Sequence, residues 1–306
     1  MTRHEPVLLA ETLEFLRQGP GLYLDATLGD AGHAEALLDS EPGARLLGCD
    51  RDPHAIESSR TRLLRFGDRV MLSPAAFHDL PEVHRAQGGE PLTGALFDLG
   101  LSSRQIDDGS RGMSFMTEAP LDLRMDMTSD RPAWEALRDT DVATLAGVLR
   151  EHGDLQDAGR LARTIVAAAQ EGRLSTTRDL AALVDRASGG HAHPRRQAQV
   201  FQALRIWING EADDLEAALA WLPSAMKAGG VVVTIAYHSG EDRRIKRAVR
   251  GERAAVTKRH PALPLPEVAP LWEPLHRGVL TPTEQEVARN RRARSARLRA
   301  FRRTGS

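Results

Sequence analysis

A turn rich in small residues, and an aspartate that follows it, form the strongest chemical pattern in the sequence. The turn covers residues 25–33 and contains Gly29, Ala31 and Gly32 between an apolar segment and an amphipathic one. Small residues there let a ligand approach the backbone closely. Asp50 comes 25 positions after Asp25, where a carboxylate would accept hydrogen bonds from ribose hydroxyls. Each feature alone is common turn or helix-cap chemistry, but their order and spacing together predict a site for the adenosine part of a cofactor.

The same turn indicates which cofactor to expect. The dinucleotide fingerprint reads G-x-G-x-x-G, whereas Gly29 is followed here by Ala31 and Ala34. A ligand without phosphates needs fewer free backbone amides at this point, and the phosphate-binding pattern G-x-x-x-x-G-K-[ST] does not occur in the sequence. The residues therefore favour S-adenosylmethionine over NAD or ATP.

Asp98 follows the apolar segment 95–97 and predicts the reactive side of the site. Cofactors bind at the carboxyl ends of parallel strands, and a carboxylate there can orient an amine or accept a proton from it. A turn or capping role for Asp98 is the alternative. Further polar residues are expected to shape the substrate side of the same edge: Ser102, Ser103, His238, Glu241, Asp242 and Arg243.

The pattern of apolar segments predicts the elements that position these residues. Short apolar runs alternate with helical patterns over the first hundred residues, which is typical of βα units and a mostly parallel sheet. We predict strands at 22–24, 45–49, 70–72 and 95–97, with helices at 32–38, 53–64 and 77–87. A fully buried strand is predicted at 231–236 and a half-exposed one at 296–300.

The alternation stops after Asp98, which predicts an inserted helical domain. Residues 134–186 have the pattern of several helices without a strand between them, and a long amphipathic helix is predicted from about Gln197 to Trp221. The expected fold is an α/β Rossmann-like sheet domain, formed by residues 1–107 and 210–306, with an all-helical insert at 108–209.

Composition and charge narrow the classes of function. The 306 residues carry a net charge of −1, yet eight Lys or Arg residues fall within 243–259 and eight arginines within 289–303. Such density suits contact with a phosphate backbone as well as a solvated surface. The single cysteine, Cys49, excludes an internal disulfide, and His191, His193 and His238 lack metal-ligand spacing, so no metal is predicted. No apolar run reaches the length of a membrane span or a secretory leader, so we expect a cytoplasmic protein.

Ordered motifs extend along almost the whole chain, at residues 4–11, 25–33, 98–107, 111–115, 121–126, 201–206, 238–243 and 290–299. Together they resemble the small-subunit ribosomal RNA methyltransferase H family (RsmH, formerly MraW). The resemblance implies transfer of a methyl group from S-adenosylmethionine to the exocyclic N4 of a decoding-centre, P-site cytidine in 16S ribosomal RNA. It also implies that the insert at 108–209 is a separate lobe that recognises RNA.

The resemblance also implies roles for single residues. Ala31, Gly32 and His33 would line the cofactor, Asp50 would bind its ribose, and Phe77, which by itself would more often be a core residue, would pack beside its adenine. With the turn residues, the expected cofactor set is Asp25, Gly29, Ala31, Gly32, His33, Asp50, Phe77, Asp98 and Gln105. The further substrate-side candidates are Arg111, Phe115, Tyr237, His238, Asp242 and Arg243.

The sequence departs from the family pattern at several positions. Ala31 stands where Gly is usual, which is tolerable if its backbone dihedrals are ordinary. The segment 193–201 is two residues longer than expected and adds positive charge. Gly240 and Tyr237 replace an expected Leu and Phe, which alters the packing expected of that loop.

Positioning is expected to supply much of the catalysis. A cytosine amine is a poor nucleophile, whereas a sulfonium methyl donor is already activated, so the enzyme must hold the two in line. Cys49 lies in a predicted buried strand, which disfavours a covalent cysteine mechanism. The target base must leave its stack, and Phe115, Tyr237 or Trp207 are candidates to hold it.

Two other classes of function are weighed against this one, namely a non-enzymatic RNA-binding or assembly factor and an NAD-dependent oxidoreductase. The intact aspartates of the turn and strand ends count against the first. The alanines at positions 31 and 34 and the basic segments count against the second. The sequence leaves a homodimer open.

Overall fold

The computed structural model describes residues 6–100, 109–126, 131–251 and 270–305. The chain divides into two compact units, one made of Met1–Gly100 with Asp214–Ser306 and the other of Leu101–Asp213. The insert expected at 108–209 falls within the range of the second unit.

The first unit is built on a central sheet with seven strands among the described residues, in the order β3-β2-β1-β4-β5-β7-β6. Neighbours from β3 to β5 are parallel, whereas β7 runs antiparallel to both β5 and β6. The strands are β1 Gly21–Asp25, β2 Ala44–Asp50, β3 Val70–Pro74, β4 Leu92–Asp98, β5 Met226–Ala236, β6 Trp272–Pro274 and β7 Arg297–Arg303. The predicted Rossmann-like sheet and all six predicted strands are confirmed.

In the N-terminal part of the first unit, helix α1 Leu9–Leu16 precedes the sheet and three further helices alternate with the strands in βα order. These are α2 Gly32–Ser40, α3 Pro53–Leu63 and α4 Leu80–Ala86, and a 3₁₀ turn at Phe77–Asp79 precedes α4. The start of α3 follows from its residues, because the Asp52 side chain accepts a hydrogen bond from the His54 amide while Pro53 occupies the first turn.

Apolar side chains on both faces explain why the sheet is central. Leu22 and Leu24 of β1 belong to one core cluster and Tyr23 to another, because successive side chains of a strand point to opposite faces. Helix α4 packs into the first cluster, and α1, α2 and α3 contribute to the second. Both faces of the sheet are therefore covered, as parallel sheets require.

The described elements of the second unit are helices around their own apolar core. They include α5 Ala133–Asp139, α6 Val142–Gly153, α7 Ala158–Gln170, α8 Thr177–Ala187 and α9 Pro194–Asn209. Helix α8 begins with a reciprocal cap, in which Thr176 accepts from the Asp179 amide and Asp179 accepts from the Thr176 amide. This local bonding fixes the start of α8.

The long helix predicted from Gln197 to Trp221 is wrong. Two helices occupy that stretch, α9 and α10 Glu211–Ala225, and the chain continues into α11 Ser239–Arg250 and α12 Glu284–Arg289 after the fifth strand. Gly210 ends α9 in the left-handed region with φ of 62°, and its amide donates to Ile206 and Trp207 carbonyls. The apolar spacing continues across this break, so periodicity alone does not reveal it.

Within the described residues, no helix combines the length and apolar composition needed to cross a bilayer.

Gly210→Ala tests the helix break. An added Cβ at Gly210 would meet no atom within 4 Å, so the variant isolates the cost of a left-handed alanine, about 1–2 kcal/mol before a partial offset from the unfolded chain. Gly147 lies inside α6 with equally open space, so Gly147→Ala should stabilise the protein by up to about 1 kcal/mol. Urea unfolding followed by far-UV circular dichroism should show opposite signs, and a shared sign would contradict the assigned break.

Candidate active site

Three aspartates end three neighbouring parallel strands. Asp50 closes β2, Asp25 closes β1 and Asp98 closes β4. From β1 the chain proceeds outward through β2 and β3, then returns to place β4 on the other side of β1. Asp25 and Asp98 therefore flank the point where the direction of the strand order reverses, which is where open α/β sheets form a binding crevice.

The turn after β1 is held directly by the Asp50 carboxylate. The Gly29 amide donates to Asp50 Oδ2 at 2.8 Å, and the Asp52 amide donates to Oδ1 at 2.9 Å. Ser59 adds a hydrogen bond from its hydroxyl to the Gly29 carbonyl at 2.9 Å. The turn and the aspartate, which the sequence linked only by spacing, are thus bonded to each other.

Asp98 lies at the centre of a set of contacts from three elements. Its amide donates to Thr27 Oγ1 at 2.7 Å, and its Oδ1 accepts from the Tyr237 hydroxyl at 2.8 Å. Its Oδ2 lies 3.8 Å from Nδ1 of His33, and 22% of its side chain is exposed. The carboxylate is therefore fixed on one oxygen and accessible to a ligand.

Burial makes all three carboxyl groups unusually basic. For Asp25, burial raises the pKa to about 7 against a hydrogen bond from the Thr27 amide, with the charges of Asp98 and Asp50 adding to the rise. Burial likewise raises the pKa of Asp98 to about 7, opposed by the Tyr237 hydrogen bond. For Asp50, burial raises the pKa to about 6 against the amides of Asp52 and Gly29. A cationic ligand with hydroxyl groups would suit this cluster, because it neutralises the charge and donates to the oxygens.

Ala31 has left-handed dihedrals, φ 58° and ψ 29°, and is fully buried. The backbone of Ala31 is therefore not in an ordinary region for alanine, where the replacement of glycine would be easily tolerated. The residue carries strain of about 1–2 kcal/mol. At Gly32 an added Cβ would collide with the Pro6 ring. His33 contacts the same N-terminal segment, with Nε2 3.0 Å from the Val7 carbonyl, so the start of α2 is a packing site for that segment.

Phe77 and Cys49 lie beside this edge of the sheet. Phe77 is half-buried and meets Phe97 edge to face, with ring centroids 5.5 Å apart. Cys49 is fully buried in β2, where burial and then the charge of Asp25 raise the pKa of its thiol to about 12. A thiol that stays protonated is a poor nucleophile, which agrees with the expectation that no covalent cysteine step occurs.

Several predicted substrate-side residues are engaged within the fold. His238 caps α11, since its Nδ1 accepts from the amides of Gly240 and Glu241 and its Nε2 lies 3.1 Å from Glu241 Oε1. Asp242 is 3% exposed and accepts from Arg299 Nε at 2.6 Å and Lys246 Nζ at 2.9 Å. Burial alone would raise the Asp242 pKa, but those two cations hold it below its usual value.

Other predicted residues fall elsewhere. Arg243 is exposed on α11. In the second unit, Arg111 is buried and donates to the Met125 carbonyl, and Phe115 packs against Phe201 with centroids 5.7 Å apart. Ser102, Ser103 and Gln105 lie outside the described residues.

The sequence predicts no metal site, because His191, His193 and His238 lack the spacing of metal ligands. In the described ranges no group of three His, Cys, Asp or Glu side chains could hold a metal ion. His191 and His193 are exposed in the second unit, while His238 belongs to the first.

Sequence reasoning missed Thr27 and Ser59. The Thr27 hydroxyl joins the turn to the end of β4 through the Asp98 amide, and the Ser59 hydroxyl joins α3 to Gly29. Thr27 stands two residues after Asp25, and a hydroxyl in a ligand-binding turn was the only signal that could have drawn attention to it.

Comparison with known proteins gives a consistent result over nearly the whole length. A family model described as the MraW methylase family matches residues 1–304. A ribosomal RNA small subunit methyltransferase H from Thermobifida fusca (strain YX) is 42% identical over 312 residues, covering 98% of this chain and 93% of that protein. The protein of the same name from Sorangium cellulosum (strain So ce56) is 42% identical over 308 residues, covering 99% and 91%.

Among solved structures, an rRNA methylase from Streptococcus thermophilus aligns over 97% of this chain and 94% of that chain. Its TM-score is 0.41 and its sequence identity 11%, a likeness too remote to inform the chemistry of this site.

Asp25→Asn should stabilise the ligand-free protein at alkaline pH. The folded-state pKa of about 7 lies above the unfolded value of about 3.9. The contribution of the Asp25 carboxyl group to the stability of the fold is therefore fully present below about pH 4 and is lost as pH rises through 7. Asparagine keeps the acceptor for the Thr27 amide, so at pH 8 the variant should gain up to about 4 kcal/mol, at about 1.4 kcal/mol per pKa unit.

Asp242→Asn is the matched control with the opposite sign. The Asp242 pKa is lowered in the fold, so its contribution is present above the unfolded pKa and lost as pH falls. This variant should be less stable than the parent at pH 8 and should approach it in acid. Urea unfolding between pH 3 and 8 measures both variants, and an Asp25→Asn variant less stable than the parent at pH 8 would refute the assignment.

Proposed function

Since the chain belongs to the MraW methylase family, it is a methyltransferase, and we propose that it methylates the exocyclic N4 of a decoding-centre, P-site cytidine in 16S ribosomal RNA with S-adenosylmethionine. The observation that carries the proposal is the cluster of Asp25, Asp50 and Asp98 at one edge of the sheet. The small-subunit RNA substrate follows the names of the relatives, and the cytidine follows the resemblance of the motifs.

The residues at the edge fit S-adenosylmethionine by the chemistry of their donors and acceptors. This cofactor supplies an electrophilic methyl group on a positively charged sulfur. Asp50 retains free lone pairs beside its two amide contacts and would accept from the ribose hydroxyls. Asp98 and Asp25 offer carboxylates to the cationic end, and half-buried Phe77 offers an apolar surface to the adenine.

The same carboxylates argue against NAD or ATP. A diphosphate bound at the turn would meet three acidic groups within one sheet edge, and like charges in a buried site repel strongly. The turn also offers few free amides, because the Gly29 amide is already bonded to Asp50. A hydride-transfer function is therefore disfavoured by charge as well as by the missing glycines.

Asp98 is the candidate catalytic residue. The amine of cytosine is a weak nucleophile, and a carboxylate that accepts a hydrogen bond from it makes its lone pair more available and fixes its direction of approach. When nitrogen gains a methyl group it must lose a proton, and a group with a pKa of about 7 can accept one at neutral pH. Cys49 plays no part, since its thiol is buried and protonated.

RNA is the proposed macromolecular partner, and we propose the helical insert at 108–209 as its recognition domain. In the first unit, Arg291 and Arg294 of the C-terminal basic run are exposed and suit phosphate contacts. Arg299 is bonded to Asp242, and Arg297 also lies within 4.0 Å of that carboxylate. Of the other basic run, residues 252–259 lie outside the described ranges. Ribosomal RNA is modified where ribosomes assemble, so a cytoplasmic location is part of the proposal.

Mapping of modified nucleotides tests the function directly. Cells that lack the protein should lose N4 methylation at one cytidine of 16S ribosomal RNA, measured by mass spectrometry of RNA fragments, and the parent sequence should restore it. Asp98→Ala should restore less than about 1% of the modification, since it removes the positioning carboxylate. Asp39→Ala removes an exposed aspartate of α2 paired with Arg65 and should restore it fully. Unchanged RNA in the deficient cells would refute the proposal.

Ligand selectivity should depend on pH. S-adenosylmethionine carries the sulfonium charge that S-adenosylhomocysteine lacks, and the aspartates at this edge become anionic near neutral pH. The ratio of the two dissociation constants should therefore shift toward S-adenosylmethionine by about tenfold between pH 5.5 and 8.5, measured by isothermal titration. Asp98→Asn should reduce the shift and Asp39→Asn should leave it intact. NAD should not bind, and tight NAD binding or a pH-independent ratio would contradict this assignment.

A further inference from the structure

Tyr237 contacts Asp98 from the neighbouring strand. The register of β4 and β5 pairs Asp98 with Ile235, and alternate residues of a strand share a face. Tyr237 lies two positions beyond Ile235 and so continues that row past the end of β5. Its hydroxyl donates to Asp98 Oδ1 at 2.8 Å, across 139 positions of sequence.

The position of the Tyr237 side chain is fixed by contacts to its backbone and to its ring. Its amide donates to Glu241 Oε2 at 2.8 Å, which holds the backbone. Gly100 has φ of 109°, and an added Cβ there would lie 3.0 Å from Tyr237 Cδ2, so glycine makes room for the ring. The ring also packs against one of the two core clusters of the sheet. The hydroxyl is therefore directed at Asp98 by the fold.

The direction of this hydrogen bond is set by the chemistry of the two groups. Burial, and next the charge of Asp98, raise the pKa of Tyr237 above its ordinary value. The phenol keeps its proton at any pH where the protein functions, so it is a donor, and the carboxylate is the acceptor. A bond from a neutral donor to a buried carboxylate is stronger than one between neutral groups.

Resting on the proposed function, we propose that Tyr237 is a positioning residue for Asp98: its hydroxyl engages Oδ1, stabilises the charged carboxylate and leaves Oδ2 directed to the ligand side. The hydroxyl offsets part of the cost of burying Asp98.

The other charged groups around Asp98 determine how its pKa would change if the Tyr237 hydroxyl were removed. Asp25 faces it from β1, Glu241 from α11, and His33 from α2 with Nδ1 3.8 Å from Oδ2. Burial and Glu241 raise the Asp98 pKa, while Tyr237 lowers it. Without the hydroxyl the raising influences remain, so the carboxylate should accept protons at higher pH.

Tyr237→Phe tests the proposal, with Tyr23→Phe as a matched control. Tyr23 is the other tyrosine of the chain, is fully buried, and donates its hydroxyl to the Gly19 carbonyl at 2.6 Å. In methyl transfer to RNA, Tyr237→Phe should lower kcat/KM about tenfold at pH 6 and less than about threefold at pH 9, since one pKa unit corresponds to a factor of ten. Tyr23→Phe should reduce thermal stability and leave the pH profile unchanged.

A second measurement does not depend on activity. Carbon-13 NMR titration of aspartate carboxyl groups in the free protein, with the Asp98 signal assigned by its absence in Asp98→Asn, should show a higher midpoint in Tyr237→Phe and no change in Tyr23→Phe. An unchanged midpoint, or an activity loss equal at every pH, would overturn the positioning role. Failure of RNA methylation by the parent protein would instead contradict the proposed function. The NMR titration of Asp98 would still decide the role of Tyr237.

Discussion

The fold must bury three carboxylates at the ends of three adjacent parallel strands. Parallel strands that end at the same edge bring Asp50, Asp25 and Asp98 into one crevice, and each loses most of its contact with water. The cost of that burial is what raises their pKa values toward neutrality. Much of the local structure at the edge serves to reduce it.

The donors that reduce the cost also shape the site. The Gly29 amide bonded to Asp50 closes the turn, and the Thr27 amide bonded to Asp25 directs the chain out of β1. Thr27 then fastens the turn to β4 through its hydroxyl. Electrostatics and geometry are therefore set by the same few hydrogen bonds. A bound cationic ligand would complete the neutralisation that the backbone donors only begin, and its binding would stabilise the fold.

Polar residues near a sheet edge are not all available for chemistry. His238 and Glu241 are engaged at the start of α11, and Asp242 joins α11 to β7 through Arg299. These contacts hold the helix that supports Tyr237, so they act on the site indirectly. Their residue types matched those of a substrate pocket because caps, ion pairs and active sites use the same acids, histidines and arginines.

The sequence by itself determined the sheet, the edge and the acidic residues there. Strands of continuous apolar residues are local features, and in a parallel sheet an aspartate that ends a strand lies at the carboxyl edge. The break at Gly210, the left-handed Ala31 and the insertion of β7 between β5 and β6 were decided only by tertiary structure. So was the bond between Tyr237 and Asp98. Each depends on backbone dihedrals or on the register between distant segments, and neither is encoded in the spacing of apolar residues.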